Sequence, residues 1–248
     1  MENKVIVITG ASSGIGAVLA KQLAERGARL ALVARREGAL REVADACDGC
    51  AVPFVADATV REDVRAVVEQ SVERLGGIDV WVNNVGQGIT RVPSELTDED
   101  IDEMMRVNVK SALYGMQEVL PHFKSRGAGH VINVSSMLGR IPFAVYRSAY
   151  SGAKHYLNAL TTNFRAEVQE THPAILFSLV SPGPVRTAFG LNARHGGIDS
   201  YTIPNAQSAG AVAAVVVDVI ASPRDDVYTR AGSSAAVAEY YAGLGVDP

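Results

Sequence analysis

Tyr150 and Lys154 are the two side chains of this sequence whose spacing most clearly suggests chemistry. They stand four positions apart in the sequence, which places them one turn apart on the same face of a helix. A free tyrosine has a pKa of about 10, and a neighbouring ammonium group stabilises the phenolate and lowers that value. The pair therefore predicts acid–base catalysis by Tyr150, although the spacing alone also fits a surface tyrosine with a lysine neighbour.

A cluster of glycines follows the first apolar run of the chain. Residues 9–16 read Thr-Gly-Ala-Ser-Ser-Gly-Ile-Gly, between a strand-like run and a run with helical periodicity. Gly10 permits a tight turn, Gly14 lets a phosphate approach the backbone, and Gly16 lets the helix pack close to the strand. The turn predicts a dinucleotide site with its pyrophosphate at the helix N-terminus.

The same turn also fits the G-x-S-x-G pattern of a hydrolase nucleophile elbow, with Ser12 as the nucleophile. Such an elbow follows several strands of its sheet, whereas a single predicted strand precedes Ser12. A hydrolase would also need a late histidine as its base, and His195 stands in a glycine-containing loop. We therefore favour the dinucleotide site.

The end of the second predicted strand bears on the choice of nucleotide. An NAD site has an acidic residue about 20 residues after the glycines, where it binds the ribose hydroxyls. Here the strand ends at Ala34, and Arg35 and Arg36 follow. Arginines at this place suit a 2′-phosphate, although they also fit a solvated loop. We expect NADP (NADPH) to be preferred, with NAD possible.

Short apolar runs alternate with longer amphipathic segments along the chain. The apolar runs predict strands over residues 4–9, 30–34, 51–56, 78–82, 131–134, 174–180 and 227–229. Helices are predicted over residues 15–26, 37–47, 97–124, 150–171 and 207–221, and another after Thr59, which has capping-box spacing to Glu62. This alternation predicts an α/β fold, namely a single-domain (residues 1–248), doubly wound, Rossmann-type parallel sheet of about seven strands with helices on both faces. Ligands of such sheets bind at the carboxyl ends of the strands.

The composition excludes several classes of function. The 248 residues carry 23 basic and 27 acidic side chains, a net charge of −4, so we expect no nucleic-acid surface. The longest apolar run, residues 211–217, is too short to cross a membrane. Two cysteines and scattered histidines predict neither a disulfide framework nor a metal site, and we expect a reducing, cytoplasmic location.

Further motifs stand after predicted strands and on predicted helices. They are Asn83-Asn84-Val85-Gly86, Asn108, Ser136 and Pro182-Gly183-Pro184-Val185-Arg186-Thr187. Together with the glycine turn and the Tyr150–Lys154 pair, they cover nearly the whole chain and resemble the short-chain dehydrogenase/reductase family, in its compact single-domain branch. The resemblance implies an oxidoreductase of carbonyl reductase type, which transfers hydride between nicotinamide and a ketone or secondary alcohol. It also implies a homodimer or homotetramer, with the helices at 97–124 and 150–171 as candidate interfaces.

The resemblance implies a role for each catalytic residue. Tyr150 would donate a proton to the carbonyl oxygen, Ser136 would hydrogen-bond that oxygen, and Lys154 would hold the nicotinamide ribose and lower the pKa of Tyr150. Asn108 would anchor a water that links Lys154 to solvent. The residues expected to bind the dinucleotide are Gly10, Ser12, Ser13, Gly14, Ile15, Gly16, Arg35, Arg36, Asp57, Ala58, Asn84, Val85, Gly86, Tyr150, Lys154, Pro182, Gly183, Val185 and Thr187.

Two positions depart from the family pattern. Val85 stands where the family usually has alanine, and Ser136 precedes Tyr150 by one residue more than expected. The longer segment affects the expected shape of the pocket wall rather than the catalysis. Ser135 is the rival for Ser136, which we prefer as the second of the pair and the nearer to Tyr150 in sequence.

The substrate is the least determined part of the prediction. A mixed apolar pocket is expected, which suits a moderately hydrophobic carbonyl compound or alcohol; its residues would be Gln87, Met137, Leu138, Phe143, Tyr146 and Phe189. A substrate loop is expected at about residues 184–204, and closure of residues 187–203 would gate the site. Arg147 and Arg194 could meet an anionic substrate, but loop arginines are usually exposed to water.

A second function remains open at this point. A non-catalytic, dinucleotide-sensing module could have the same fold. A sensor would have no need of the complete set of Asn108, Ser136, Tyr150 and Lys154, so we favour the enzyme.

Overall fold

The computed structural model describes residues 1–245 of the chain. Within them the strands are β1 (Val5–Thr9), β2 (Arg29–Ala34), β3 (Ala51–Val55), β4 (Val80–Asn83), β5 (Gly129–Val134), β6 (Ile175–Ser181), β7 (Val185–Arg186), β8 (Gln207–Ser208) and β9 (Asp226–Tyr228). The α-helices of this part are α1 (Gly14–Ala24), α2 (Glu37–Asp45), α3 (Arg61–Leu75), α4 (Asp98–Met105), α5 (Ser111–Arg126), α6 (Ser148–Gln169), α7 (Ala209–Ala221) and α8 (Ser233–Ala242).

Seven strands form one parallel sheet in the order β3-β2-β1-β4-β5-β6-β9. The chain winds outward from β1 in one direction through β2 and β3, then returns to pair β4 on the other side of β1. This reversal opens a crevice at the carboxyl ends of β1 and β4, which is the usual ligand site of such sheets. The prediction of a single-domain, doubly wound sheet of about seven strands is confirmed.

Successive residues of the strands point to opposite faces of the sheet, and both faces are buried. Ile6 and Ile8 pack on one face with residues of α1 and α7. Val5 and Val7 pack on the other with residues of α3, α5 and α6. Burial on both sides explains why the strands read as continuous apolar runs instead of alternating ones.

The predicted helix over residues 97–124 is interrupted in the structure. Helix α4 ends at Met105, a π-helical turn spans Arg106–Lys110, and α5 continues from Ser111. Single π-turns within helices are often found at functional sites. Here the turn contains Asn108, which is buried.

Some local expectations were wrong or incomplete. Thr59 does not cap a helix, because α3 begins at Arg61 without a side-chain cap and the Thr59 hydroxyl donates to Asp57 instead, at 2.8 Å. A capping box forms at α4, between Thr97 and Asp100. Strands β7 and β8 and helix α8 were not predicted.

No helix in residues 1–245 is long and apolar enough to cross a membrane.

Candidate active site

The glycine turn joins β1 to α1 at the crevice. Gly10 and Gly14 have φ angles of +68° and +56°, a backbone conformation that side chains disfavour. A Cβ atom on Gly16 would lie 2.5 Å from the Gly10 carbonyl oxygen and 2.7 Å from Asn84 Nδ2. Glycine is therefore required at these positions, as the sequence pattern predicts.

The N-terminus of α1 is open to an anion. Ser13 at the N-cap makes no side-chain capping bond, and the first turn contains no acidic residue. Free backbone N–H groups at a helix N-terminus favour a phosphate. Thr187 approaches from the opposite wall, with its Cγ2 atom 3.4 Å from the place of a Cβ on Gly14. A phosphate held at the N-terminus of α1 would therefore have Thr187 beside it.

Asn84 supports the glycine turn from the end of β4. Its side-chain amide donates to the carbonyl oxygens of Thr9 and Gly10, at 3.2 and 3.3 Å. The Asn84 backbone N–H donates in turn to the Thr9 hydroxyl at 3.1 Å. These bonds hold β1 and β4 together at the crevice and explain why an asparagine follows β4.

Arg35 and Arg36 lie beside the glycine turn, at the end of β2. Arg36 donates to the Ser12 hydroxyl at 3.2 Å, and Arg35 pairs with Asp57 at 3.6 Å. Burial alone would raise the pKa of Asp57, but hydrogen bonds from Thr59 and the charge of Arg35 lower it. The Arg35 side chain is 71% exposed, so both arginines can turn toward a ligand on this edge.

Tyr150 and Lys154 lie buried on α6, one turn apart. Lys154 Nζ lies 5.8 Å from the centre of the Tyr150 ring and donates to the Val134 carbonyl oxygen at 3.0 Å. Burial raises the pKa of Tyr150 to about 12, and the Ser136 hydroxyl and Arg147 partly oppose this rise. Burial lowers the pKa of Lys154 to about 8. At neutral pH the phenol is therefore protonated and the ammonium is mostly charged.

The two serines after β5 have different partners. The Ser135 hydroxyl donates to Asn158 at 2.5 Å and is buried away from Tyr150. The Ser136 hydroxyl accepts from the Leu138 N–H at 3.1 Å and interacts with the Tyr150 phenol. The structure thus brings Ser136, rather than Ser135, to the tyrosine.

Asn108 in the π-helical turn joins the site to the loop after β4. Its side-chain amide donates to the carbonyl oxygens of Gln87 and Met104, at 3.0 and 3.1 Å. Its oxygen accepts from the Gln87 N–H at 3.1 Å. A Cβ on Gly86 would lie 3.2 Å from this oxygen and 3.7 Å from Lys154 Nζ, so the absence of a side chain at Gly86 leaves room for both groups.

The other residues predicted to bind a dinucleotide surround the same crevice. Ile15 begins α1 with Gly14, Ala58 follows Asp57 after β3, and Val85 follows Asn84. The Pro182 carbonyl oxygen accepts from the Met137 N–H at 2.8 Å. Gly183 lies between β6 and β7, and Val185 starts β7.

The predicted pocket residues divide into two groups. Phe189 packs edge-on against Tyr150, with ring centres 5.5 Å apart. Gln87, Met137 and Leu138 are half-buried near Asn108 and Ser136. Phe143 and Tyr146 are exposed, at 62% and 39%, so their place in the pocket wall stays a prediction.

The expected substrate loop is tied to the rest of the protein by Asp100, a residue that sequence reasoning missed. Asp100 on α4 has no exposed side-chain surface, and it accepts from Arg194 at 2.5 Å, His195 at 2.7 Å and Arg91 at 2.9 Å. Burial alone would raise the pKa of Asp100, but these three hydrogen bonds hold it well below its usual range. Its capping-box spacing to Thr97 signals the helix start; nothing in the sequence signals the loop contacts.

The backbone adds to this attachment. The Arg194 N–H donates to the Gly88 carbonyl oxygen at 2.9 Å, and the Thr90 N–H donates to the Arg194 carbonyl oxygen at 3.0 Å. Arg194 is therefore paired rather than free for a substrate.

The structure does not support the alternative hydrolase. Ser12 accepts a hydrogen bond from Arg36, and His195 is bonded to Asp100. This arrangement provides no base for Ser12.

Arg147 differs from the expectation of an exposed loop arginine. The residue is 8% exposed and ends a 3₁₀ turn, Val145–Arg147, just before α6. Burial lowers the pKa of Arg147.

Among residues 1–245, no group of three or more His, Cys, Asp or Glu side chains is arranged to bind a metal ion.

Comparisons with known proteins agree with this architecture. Residues 4–196 match the family model described as short chain dehydrogenase. An uncharacterised oxidoreductase of Staphylococcus epidermidis is 34% identical over 187 residues, which are 75% of this chain and 80% of that protein.

Two solved structures resemble the fold closely. A short chain dehydrogenase/reductase from Burkholderia phymatum, in complex with NAD, has a TM-score of 0.88 at 22% identity and covers 100% of this chain and 98% of its own. An alcohol dehydrogenase from Thermococcus sibiricus, complexed with 5-hydroxy-NADP, has a TM-score of 0.79 at 28% identity and covers 91% of this chain and 95% of its own.

Proposed function

The chain belongs to the short-chain dehydrogenase/reductase family, and from that premise we propose that it reduces a carbonyl compound, or oxidises the corresponding alcohol, with Tyr150 as the proton donor and acceptor. The observation that carries this proposal is the buried group of Ser136, Tyr150 and Lys154 beside an open helix N-terminus. The family's oxidoreductase activity supports the reaction class.

A nicotinamide dinucleotide fits the crevice, because the glycine turn, the α1 N-terminus and Thr187 together form a cradle for its pyrophosphate. When bound, this group supplies or accepts the hydride. In this proposal Asp57 and Asn84 contact the adenosine half. Val185 and Thr187 contact the nicotinamide.

Each catalytic side chain has a separate task in carbonyl reduction. Tyr150, protonated at neutral pH, gives its proton to the carbonyl oxygen as negative charge develops there. Ser136 donates a hydrogen bond to the same oxygen. The Lys154 ammonium stabilises the tyrosinate that remains, since an opposite charge nearby favours the charged form. Asn108 positions the Gln87 backbone beside them.

NADP is proposed as the preferred dinucleotide. Arg35 and Arg36 stand side by side at the end of β2, and one of them contacts Ser12 of the glycine turn. An arginine pair binds a 2′-phosphate through charge-assisted hydrogen bonds. The ion pair of Arg35 with Asp57 is mostly exposed and is therefore a weak competitor.

Assembly into a homodimer or homotetramer is a further part of the proposal. An open apolar groove runs between α4 and α6, lined by Leu96, Ile101, Met105, Ala149 and Ala153. Ile101 is 43% exposed, and exposed apolar surface of this kind favours association. Light scattering of the wild type and of Ile101→Glu would test it: a dimer or tetramer that dissociates in the variant is expected, and a wild-type monomer would contradict it.

We propose that residues 187–203 of the substrate loop close over the pocket as a lid. Limited proteolysis with and without NADPH tests this proposal. Protection of the loop by NADPH with a substrate is expected, and an unchanged cleavage rate would exclude gating.

The activity itself is tested by the oxidation of NADPH, and separately NADH, followed by absorbance with a panel of ketones, aldehydes, quinones, steroids and β-ketoacyl thioesters. Turnover of at least one class is expected. Tight NADPH binding without turnover of any carbonyl would instead favour the dinucleotide sensor. A sensor, however, needs no proton donor, whereas Tyr150 is buried beside Ser136 in this protein.

A further inference from the structure

Arg147 carries a buried positive charge that no described residue neutralises. The residue is 8% exposed, and it forms no ion pair with any carboxylate of residues 1–245. Its Nη1 atom is fully buried and has no hydrogen-bond partner in this part of the chain. Leaving a charged donor buried and unpaired is strongly unfavourable, so such a group calls for an anion that the chain itself does not provide.

Two glycines of different loops make room for the guanidinium. A Cβ on Gly88 would collide with Arg147 Nη1, and a Cβ on Gly197 would lie 3.2 Å from Nη2. The hydroxyl of Thr90, 3.1 Å from the same Gly197 position, is also buried without a described partner. The Gly190 carbonyl oxygen faces this position too, but forms no hydrogen bond with the guanidinium. The guanidinium and the Thr90 hydroxyl, each of which has a buried atom without a described partner, therefore both lie against Gly197.

The guanidinium also lies beside the catalytic tyrosine. The Phe189 ring, whose centre is 5.5 Å from that of Tyr150, has its Cε1 atom 3.0 Å from the Gly88 position that Arg147 Nη1 also contacts. Arg147 is close enough to Tyr150 for its charge to act on the phenol. A substrate held at Tyr150 therefore lies near the guanidinium.

The nearby acidic group is already engaged. Asp100 is paired with Arg91, Arg194 and His195. Tyr146, whose ring centre is 5.8 Å from the Arg147 guanidinium, offers it an aromatic ring but no carboxylate. The planar fork of an arginine matches the two oxygens of a carboxylate. The pocket thus combines an apolar wall at Phe189 with one unpaired cation.

We propose that Arg147 binds the carboxylate of a short-chain oxo acid, or of the corresponding hydroxy acid, whose carbonyl or hydroxyl carbon lies at Tyr150. This inference rests on the proposed function and names its substrate class. In reduction, the carbonyl carbon accepts a hydride from the reduced nicotinamide, which becomes oxidised, and the oxygen accepts the proton of Tyr150. Solvent returns a proton to Tyr150, and the carboxylate is unchanged.

The test compares two acids with their neutral esters: 3-oxobutanoate and 4-oxopentanoate against the methyl ester of each, with NADPH and with NADH. A charge-assisted hydrogen bond corresponds to a factor of about 10 to 100 in binding. We therefore expect wild-type kcat/KM to favour at least one acid over its ester by about 10-fold or more. This comparison in the wild type does not depend on the folding of any variant.

Three variants then assign the effect to Arg147. Arg147→Gln should abolish the preference for the acid, mainly through a higher KM for the acid and with little change for the ester. Arg147→Lys should retain part of the preference, because it keeps the charge but loses the fork. Arg26→Gln, which removes the same charge from an exposed position just after α1, is the matched control and should keep the full preference.

Distinct results would overturn the inference. Esters reduced as well as the acids, or reduction of other carbonyl classes but none of the four probes, would refute the oxo-acid substrate and leave the proposed reductase activity intact. An equal loss of kcat for acid and ester in Arg147→Gln, with a shifted pH profile, would show that Arg147 acts on Tyr150 instead. Tight NADPH binding without reduction of any carbonyl would refute the proposed function itself.

Discussion

Replacing Lys154 by methionine should make the protein more stable while removing its proposed activity. Lys154 is 2% exposed, and its ammonium group has one described hydrogen-bond acceptor, the Val134 carbonyl oxygen, and no acidic partner. Methionine has a similar length and no charge. The substitution therefore removes a buried cation while filling nearly the same space.

The magnitude follows from the displaced pKa. Burial lowers the pKa of Lys154 from 10.5 to about 8. A pKa change of one unit corresponds to about 1.4 kcal/mol. Burying the charged form of Lys154 therefore costs roughly 3 kcal/mol at neutral pH. Loss of the hydrogen bond to Val134 destabilises the variant by about 1 kcal/mol. We therefore expect Lys154→Met to be more stable than the wild type by about 2 kcal/mol. For a chain of this size that raises Tm by about 4 to 8 °C.

The stability difference between Lys154→Met and the wild type should depend on pH. Between pH 8 and 10.5 the unfolded chain binds a proton at Lys154 that the folded protein has released, so wild-type stability gains with rising pH relative to the variant. The advantage of Lys154→Met should therefore be largest below pH 8 and should disappear before pH 10.5 is reached. Urea unfolding across this range measures it.

Lys124→Met is the matched control, because Lys124 is exposed near the end of α5. It should change the unfolding free energy by no more than about 0.5 kcal/mol, at every pH in the range. A Lys154→Met variant less stable than the wild type at pH 7, or a difference that does not depend on pH, would refute the reasoning that the buried ammonium is destabilising.

Three further predictions follow from contacts of the site. Arg35→Ala should weaken NADPH binding by about 10-fold or more and NADH binding only slightly; equal weakening of both by calorimetry would show that Arg35 does not bind the 2′-phosphate. Asp100→Asn should lower the unfolding free energy by about 1 to 3 kcal/mol at pH 7 and speed tryptic cleavage at Arg194. Because the pKa of Asp100 is lowered in the folded protein, the difference in unfolding free energy between wild type and variant should shrink as pH falls below about 4. A difference that stays constant with pH would contradict its origin in the ion pairs of Asp100. Gly16→Ala should destabilise the protein by about 1 to 3 kcal/mol through contact with the glycine turn, whereas Gly38→Ala, with nothing within 4 Å, should be neutral or stabilising; equal effects in thermal unfolding would refute the packing argument.

The fold was predictable because its signals are local. Each strand is an apolar run that ends at a polar or glycine turn, and the alternation with helices fixes the parallel sheet. The glycine turn also follows from the sequence, since Gly10 and Gly14 adopt left-handed conformations and Gly16 tolerates no Cβ. The Thr59 capping box was wrong because α3 has Val60 at its N-cap and the Thr59 hydroxyl accepts from Arg106 instead. That contact joins distant parts of the chain.

The contacts of the substrate loop were not predictable, because they join distant parts of the chain. Asp100 and Arg194 are 94 residues apart, and a charged residue in the first turn of a helix ordinarily reads as a solvated cap. Arg147 likewise looked like an exposed loop residue. Its burial follows from Gly88 and Gly197, which leave room for it only once two separate loops are folded together.

The most direct test of the account is the turnover of Tyr150→Phe with NADPH and a carbonyl substrate found in the panel. Because the phenol is the proposed proton donor, kcat should fall by about 100-fold or more. The variant keeps the aromatic ring and every other residue expected to bind the dinucleotide, so the Kd of NADPH should stay within about two-fold of the wild type. Unchanged turnover would contradict the assignment of Tyr150 and, with it, the proposed mechanism.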